Sequence, residues 1–256
     1  MAICTVKDKK TIFHLFQACH NTMILSCLQD CMGVAYSDCE KPPISAQISV
    51  GDFICFAGEV NESLVRNRPE NLRSEFSILV PQNEQWQKAI EHIHKENATR
   101  IIRHSTRKQP DIFNTKKLRQ FVSQLEAPYT LKLIDQALYS EIISSCWAVD
   151  LCSNYNNYSD FAEHGLGVVV LKNGEIVSGA SSYTYYRGGI EIEIDTREDE
   201  RRKGLALACA ARLILECLER DLYPSWDAHD KRSLMLAQKL GYQFDEEYIA
   251  YEVVWS

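Results

Sequence analysis

Apolar and polar positions follow two periods along this chain. ISAQISV (44–50) and DFICFAG (52–58) are apolar-rich runs of strand length, separated by Gly51-Asp52, and they predict a hairpin. A short helix is expected near 61–67 and a strand at 75–80. Asn83 is placed to cap a helix that carries Trp86, Ile90 and Ile93 on one face, and a strand at 98–105 follows. Ahead of these, TIFHLFQACHNTMILSCL reads as one amphipathic helix.

The second half is more sharply punctuated. A helix near 134–147 leads to the polar loop 152–160. Strands at 165–172 and 175–186 flank Asn173-Gly174, the strongest short hairpin signal, and a third strand runs over 189–195. An alanine- and leucine-rich helix is expected over 204–221, a short strand over 224–229, and a helix over 231–240 stopped by Gly241. EEYIAYEVVW forms a closing strand. Residues 103–119 are basic, interrupted by Pro110, and read as a solvated connector and helix start. The boundary falls near 126–128, giving an α/β (α+β) protein with an N-terminal α/β domain, 1–126, and a second domain, 127–256.

Composition narrows the class. With 256 residues, 45% hydrophobic and 10% aromatic, the chain can fill a large core. Its 35 acids and 28 bases leave a net charge of −7, which argues against a general nucleic-acid or anionic-membrane partner. Ten cysteines in a chain this long are too dilute for a disulfide framework, so reduced thiols in a cytoplasmic protein are expected. A zinc site from His20, Cys27, Cys31 and Cys39 is the weaker reading, and no metal is expected. The polar residues inside the first apolar run exclude a secretory leader, and no run reaches the roughly 18 apolar residues of a membrane helix.

Candidate chemistry centres on residues 191–211. A strand ends at Asp195, and Arg201-Arg202-Lys203-Gly204-Leu205-Ala206 opens the long helix. Free N–H groups and the helix dipole at such a start suit an anion; Gly204 and Ala206 allow close approach, and the three bases add attraction. Strand alternation sets Glu191, Glu193 and Asp195 on one face and Ile190, Ile192 and Ile194 on the other, unless a bulge intervenes. Glu198, Asp199 and Glu200 read as solubilising loop residues. His229 reads as a surface residue, and Trp226, Tyr183, Tyr185 and Tyr186 as packing residues.

Arg201-x-x-Gly204-x-Ala206 after an alternating strand resembles the acetyl-CoA pyrophosphate loop of the GNAT N-acetyltransferase superfamily. Asp230-x-x-Ser233-x-x-Leu236 and Lys239-Leu240-Gly241-Tyr242 resemble its later helix and exit turn. Phe161, Gly165, Gly167, the run 204–206, Pro224-x-Trp226-Asp227-Ala228 and Ser233 give a closer likeness to the subgroup that includes zwittermicin A resistance acetyltransferases. The resemblance implies a mixed, mostly antiparallel sheet flanked by helices, with strands 190–195 and 224–229 splayed apart. It implies pantetheine contacts at Ile192, Glu193 and Ile194, and pyrophosphate contacts at Arg201, Arg202, Lys203, Gly204, Leu205, Ala206 and Leu207. Asp230 and Ser233 complete the implied cofactor set.

The implied reaction is acetyl transfer from acetyl-CoA, as cosubstrate, to a primary amine of a small molecule, by direct attack. Glu193 is the first candidate base and Glu191 the second. Where relatives place a sulfur-protonating tyrosine this chain has Ala237, so Tyr242 becomes the candidate acid, with a water, or a thiolate that departs with little help, as the alternatives. Asp230 stands where relatives often have asparagine, and an ionised carboxylate cannot donate a hydrogen bond. A CoA- or acyl-CoA-binding module without catalysis and a protein N-acetyltransferase are the alternative functions, and a homodimer is allowed. The order of elements in 1–126 echoes the second half without its glycine loop, which suggests a degenerate second copy or a lid.

Overall fold

The computed structural model describes residues 2–17, 19, 21–39, 41–109 and 111–255. The expected features at His20 and Pro110 lie outside them. Two compact units emerge: residues 1–103 with 247–256, and residues 104–246. The expected division at 126/127 is a different cut: the unit boundaries fall within the strands Ala98–Thr106 and Phe244–Val254.

The first unit opens with β1 (Ile3–Thr5), a 3₁₀ segment (Lys9–Phe16) and α1 (Thr22–Leu28). The single opening helix that periodicity predicts is therefore two segments, and Asn21 is the reason. Its side chain accepts the Met23 N–H and caps a new helix. Strands β2 (Val34–Asp38), β3 (Ser45–Val50) and β4 (Phe53–Gly58) follow, then α2 (Glu62–Arg66), β5 (Phe76–Pro81), α3 (Glu84–His94) and β6 (Ala98–Thr106). Asn83 caps α3 by accepting the N–H groups of Gln85 and Trp86. Trp86, fully buried, stacks on Phe56 at 5.0 Å and donates its indole N–H to the Gly58 carbonyl at 3.0 Å.

Cys4 and Cys39 form a disulfide, which corrects the expectation that all ten thiols are reduced. Register puts Ile3 opposite Asp38 and Cys4 opposite Ser37, so pairing of β1 with β2 carries the two thiols together. Cys39 is thereby removed from the zinc set, and among the described residues no group of three or more His, Cys, Asp or Glu is arranged around a common point for a metal ion.

The second unit contains α4 (Thr115–Ser123), β7 (Tyr129–Leu133), α5 (Gln136–Ile143), α6 (Tyr158–His164), β8 (Gly167–Lys172), β9 (Glu175–Tyr186) and β10 (Gly189–Thr196). It continues with α7 (Leu205–Leu218), β11 (Tyr223–Ser225), β12 (Asp227–Ala228) and α8 (Lys231–Leu240), and β13 (Phe244–Val254) then leads out. Five strands pair in the order β11-β10-β9-β8-β7, antiparallel except for β10 with β11.

That sheet is covered on both faces. Val168, Val170, Ile190 and Ile192 pack with Cys209, Leu213 and Ile214 of α7 and with Ala237 and Leu240 of α8. Val169, on the opposite face, joins Leu138, Tyr139 and Ile142 of α5 and Phe161 of α6. The β8 run Val168-Val169-Val170 is apolar throughout for this reason: its alternate residues enter two cores. Among the described residues no helix is long and apolar enough to cross a membrane.

The β10–β11 pair depends on a small residue. A Cβ built on Gly189 would lie 2.5 Å from the Tyr223 carbonyl oxygen, its partner in the ladder. Gly189→Ala is expected to push β11 away and to lower unfolding free energy by about 1–3 kcal/mol, read from urea denaturation.

Candidate active site

The site is built where one strand divides between two partners. β11 pairs with β10 only over Gly189–Glu191. Beyond Ser225 the chain leaves β10, and Asp227 and Ala228 pair instead with Ser105 and His104 of β6. The expected single strand 224–229 is therefore two. The peptide between Trp226 and Asp227 is the turning point, and side chains satisfy both its polar groups. Its carbonyl accepts the Thr106 hydroxyl at 2.6 Å, and its N–H donates to Glu191 Oε1 at 2.7 Å. The Trp226 indole is buried and donates to Ser233 Oγ at 3.1 Å. Among the described residues, β10 has no strand partner on its β11 side from Ile192 to Thr196.

The register between β9 and β10 slips between Glu191 and Ile192, passing over Tyr183. The extra residue lies in β9, so β10 keeps its own alternation: Ile190 and Ile192 enter the α7 core, and Glu191, Glu193 and Asp195 take the other face. That face is not simply solvated. Glu191 is only 5% exposed. Around it, the Tyr186 hydroxyl meets Ser225 Oγ at 2.9 Å, and Lys108 Nζ lies 4.7 Å from the Tyr186 ring centre. Burial pushes the Tyr186 hydroxyl up to about 12 and holds the Lys108 ammonium below the usual lysine range, against the pull of Glu191.

Glu193 is half-buried, and its Oε1 accepts the Ile194 N–H at 3.1 Å, beside the open edge. Asp195 is also half-buried and accepts the Thr196 N–H at 2.7 Å. Burial raises its carboxyl, its backbone hydrogen bond and Arg201 oppose that shift, and Asp150 adds to it.

The loop after β10 is held from beneath. Glu198, Asp199 and Glu200 form a 3₁₀ turn, and Glu200 points inward, 2% exposed, which corrects its reading as a solubilising residue. Its carboxylate takes Lys172 Nζ at 2.5 Å, the Tyr129 hydroxyl at 2.7 Å and Lys203 Nζ at 2.8 Å. These partners hold it far below the usual glutamate range, at about 2. Arg201 Nε donates to the Thr196 carbonyl at 3.2 Å. Arg202 and Gly204 both sit in the left-handed region, at φ of 63° and 81°. Gly204 is the N-cap of α7 and supplies no side-chain cap; the first helical bond is Ala208 N–H to its carbonyl. The N–H groups of Leu205, Ala206 and Leu207 are thus the uncapped first turn.

The remaining expected residues lie on α8 and on the segments that flank it. Asp230 caps α8, its Oδ1 accepting the Ser233 N–H at 2.9 Å, and Arg232 bonds its other oxygen at 2.9 Å. Ser233 thereby links that cap to the Trp226 indole. Ala237 is fully buried against the sheet. Tyr242 is buried, donates its hydroxyl to the Pro224 carbonyl at 2.6 Å, and packs edge-on against Phe113 and Trp226 at 5.0 and 5.4 Å. Burial drives its hydroxyl well above the usual tyrosine range. His229 is exposed.

The GNAT acetyltransferase family model matches residues 13–251, nearly the whole sequence. The chain belongs to the GNAT acetyltransferase family. It is 29% identical over 242 residues to the uncharacterized N-acetyltransferase YdfB of Bacillus subtilis, covering 90% of this chain and 89% of that protein. The crystal structure of a GCN5-related N-acetyltransferase-like protein from Streptococcus suis matches with a TM-score of 0.90 and 42% identity, over 96% of this chain and 98% of that one. A tandem GNAT protein from the clavulanic acid biosynthesis pathway shares the fold, with a TM-score of 0.57 at 8% identity over 98% of each chain.

In this GNAT acetyltransferase, sequence reasoning missed Thr106, Tyr129, Lys172 and the inward turn of Glu200. Thr106 is 120 residues from the carbonyl it holds, and Tyr129 is 71 residues from Glu200, so local pattern carries neither. A signal existed for Glu200 alone among the three acids: Arg197 and Lys203 lie three residues to either side of it.

A Cβ built on Gly204 meets nothing within 4 Å, so its φ of 81° is the whole constraint. Gly204→Ala should cost about 1–2 kcal/mol in urea unfolding, and Gly204→Asn less, because asparagine tolerates the left-handed region better.

Proposed function

We propose that this acetyltransferase moves an acetyl group from acetyl-CoA to a primary amine of a small molecule in the cytoplasm, with Glu193 as general base. One arrangement supports the reading: β10 has an open edge at Ile192–Ile194, the loop that follows it opens α7 with an uncapped first turn, and Glu193 lies on that stretch of β10, on the face away from the α7 core. The residues fit the donor. Open space at Gly204 admits a diphosphate to the backbone, and the N–H groups of Leu205, Ala206 and Leu207 point where an anion is favoured. Arg201 and Arg202 supply positive charge. The main chain of Ile192 to Ile194 can pair with the amide groups of a pantetheine arm, as a strand would. Asp230 and Ser233 contribute at one remove, through the α8 cap and the Trp226 indole. The bound donor supplies an activated thioester carbonyl.

The protein's share is orientation and proton transfer. An attacking amine must lose the proton of its ammonium form, and a half-buried carboxylate at the open edge is suited to take it. Glu191 is the weaker candidate, since it is almost fully buried where β11 is still paired and its Oε1 accepts the Asp227 N–H at the fork. We assign Tyr242 a packing role, because its hydroxyl is committed to Pro224 inside the core. A thiol with an ordinary pKa near 8.5 leaves as an anion with little assistance near neutrality, so water suffices for its proton. The net charge of −7 and the likeness to zwittermicin A resistance acetyltransferases support a cationic small-molecule acceptor. We read residues 1–126 as a degenerate copy of the same fold; its hairpin, helix, strand, helix, strand order supports this.

Free-thiol release from acetyl-CoA with an amine library tests the reading. Turnover is expected with at least one amine; CoA binding without turnover on any would overturn it. Glu193→Gln should lower kcat by about 10²–10⁴-fold in the same assay. Tyr242→Phe should keep kcat within a few-fold while costing about 1–3 kcal/mol of stability, as the buried Pro224 carbonyl loses its donor. Gly204→Glu should abolish CoA binding in calorimetry.

A further inference from the structure

We infer that Glu200 is a positioning residue for the CoA diphosphate: it fastens the loop from below and takes Lys203 out of the set of phosphate ligands. This rests on the proposal that the loop binds CoA. In sequence the three bases 201–203 look equivalent, yet their side chains have different work. Lys203 Nζ is engaged twice, by Glu200 Oε2 at 2.8 Å and by the Asp199 carbonyl at 3.0 Å. Its ammonium is thus turned back under the loop. Arg201 donates its Nε to the Thr196 carbonyl and lies within electrostatic reach of Asp195, and among the described residues no hydrogen bond engages its terminal guanidinium nitrogens.

Glu200 joins three parts of the chain. Tyr129 begins β7, Lys172 ends β8, and Lys203 immediately precedes Gly204; all three donate to the same buried carboxylate. Arg197 Nη2 adds a looser contact at 3.9 Å. The anchored segment contains the left-handed residues Arg202 and Gly204. A non-glycine residue such as Arg202 stays there only when its surroundings over-determine it, and the Glu200–Lys203 pair at the adjacent residue supplies that constraint. The result is a run of backbone N–H groups set in place before the ligand arrives. Removing the carboxylate's charge leaves Lys172 and Lys203 uncompensated beside it, so the loop would lose its anchor.

The test compares two donors. For Glu200→Gln, KM for acetyl-CoA is expected to rise roughly tenfold, the worth of about one charge-assisted contact. Saturated kcat and the KM for the amine should stay within about twofold of wild type. S-acetyl-pantetheine lacks the diphosphate, so its KM should not change; a purely structural role would move both donors together. Lys203→Met should reproduce the effect, and the double variant should be no worse than either single, because both act through one contact. Additive losses would make Lys203 a phosphate ligand and overturn the inference, as would an unchanged KM for acetyl-CoA in Glu200→Gln or an equal rise for both donors. Lys203→Met, at a more exposed side chain, carries the comparison if Glu200→Gln does not fold. Wild-type protein that fails to bind CoA in calorimetry would instead remove the cofactor reading, and this inference with it.

Discussion

The peptide joining Trp226 to Asp227 is the joint on which the second unit depends. A backbone unit leaving one sheet for another strand must find partners for its carbonyl and its N–H, or the turn is too costly to persist. Thr106 and Glu191 supply those partners at 2.6 and 2.7 Å. With the peptide fixed, β11 stays on the start of β10, β12 goes to β6, and the rest of β10 keeps one open edge. The proposed donor-binding edge is the consequence of that departure. Trp226 stabilises the same point from the core side, through its buried ring and its bond to Ser233.

This joint also separates the roles of two carboxylates that look alike in sequence. Glu191 lies where β11 is still paired and the face is closed, and it is occupied in holding the fork. Glu193 lies two residues farther along the same face, where the partner strand has gone. Identical chemistry on one strand face therefore meets two environments, one closed in beside β11 and one half-buried beside the open edge. The slip at Tyr183 does not disturb this arrangement, because the extra residue belongs to β9 and β10 keeps its alternation.

The loop at 197–204 shows how a protein of net charge −7 can present a cationic surface locally. One of its acids is turned inward and neutralised by Lys172 and Lys203, while Asp199 pairs with Arg197 at 2.7 Å. The arginines at 201 and 202 remain on the outside. A charge sum over this segment says little, since burial decides which charges a ligand would meet.

Period and punctuation alone determined much of this protein. The β3–β4 hairpin, the Asn83-capped helix, the Asn173-Gly174 turn, the β9 span and the glycine at the start of α7 are local matters of alternation, capping and turn residues, all legible in sequence. So was the division of β10 into an isoleucine face and a carboxylate face. Only the tertiary structure decided where the strand at 224–229 breaks, that Glu200 is buried and Glu198 is not, that Tyr242 points into the core, and that Cys4 meets Cys39. Each of these rests on a partner distant in sequence, or on the competition between a strand ladder and a side chain for one backbone group. A residue's type records its capacity to bond, whereas the fold selects which of the available partners lies within 3 Å.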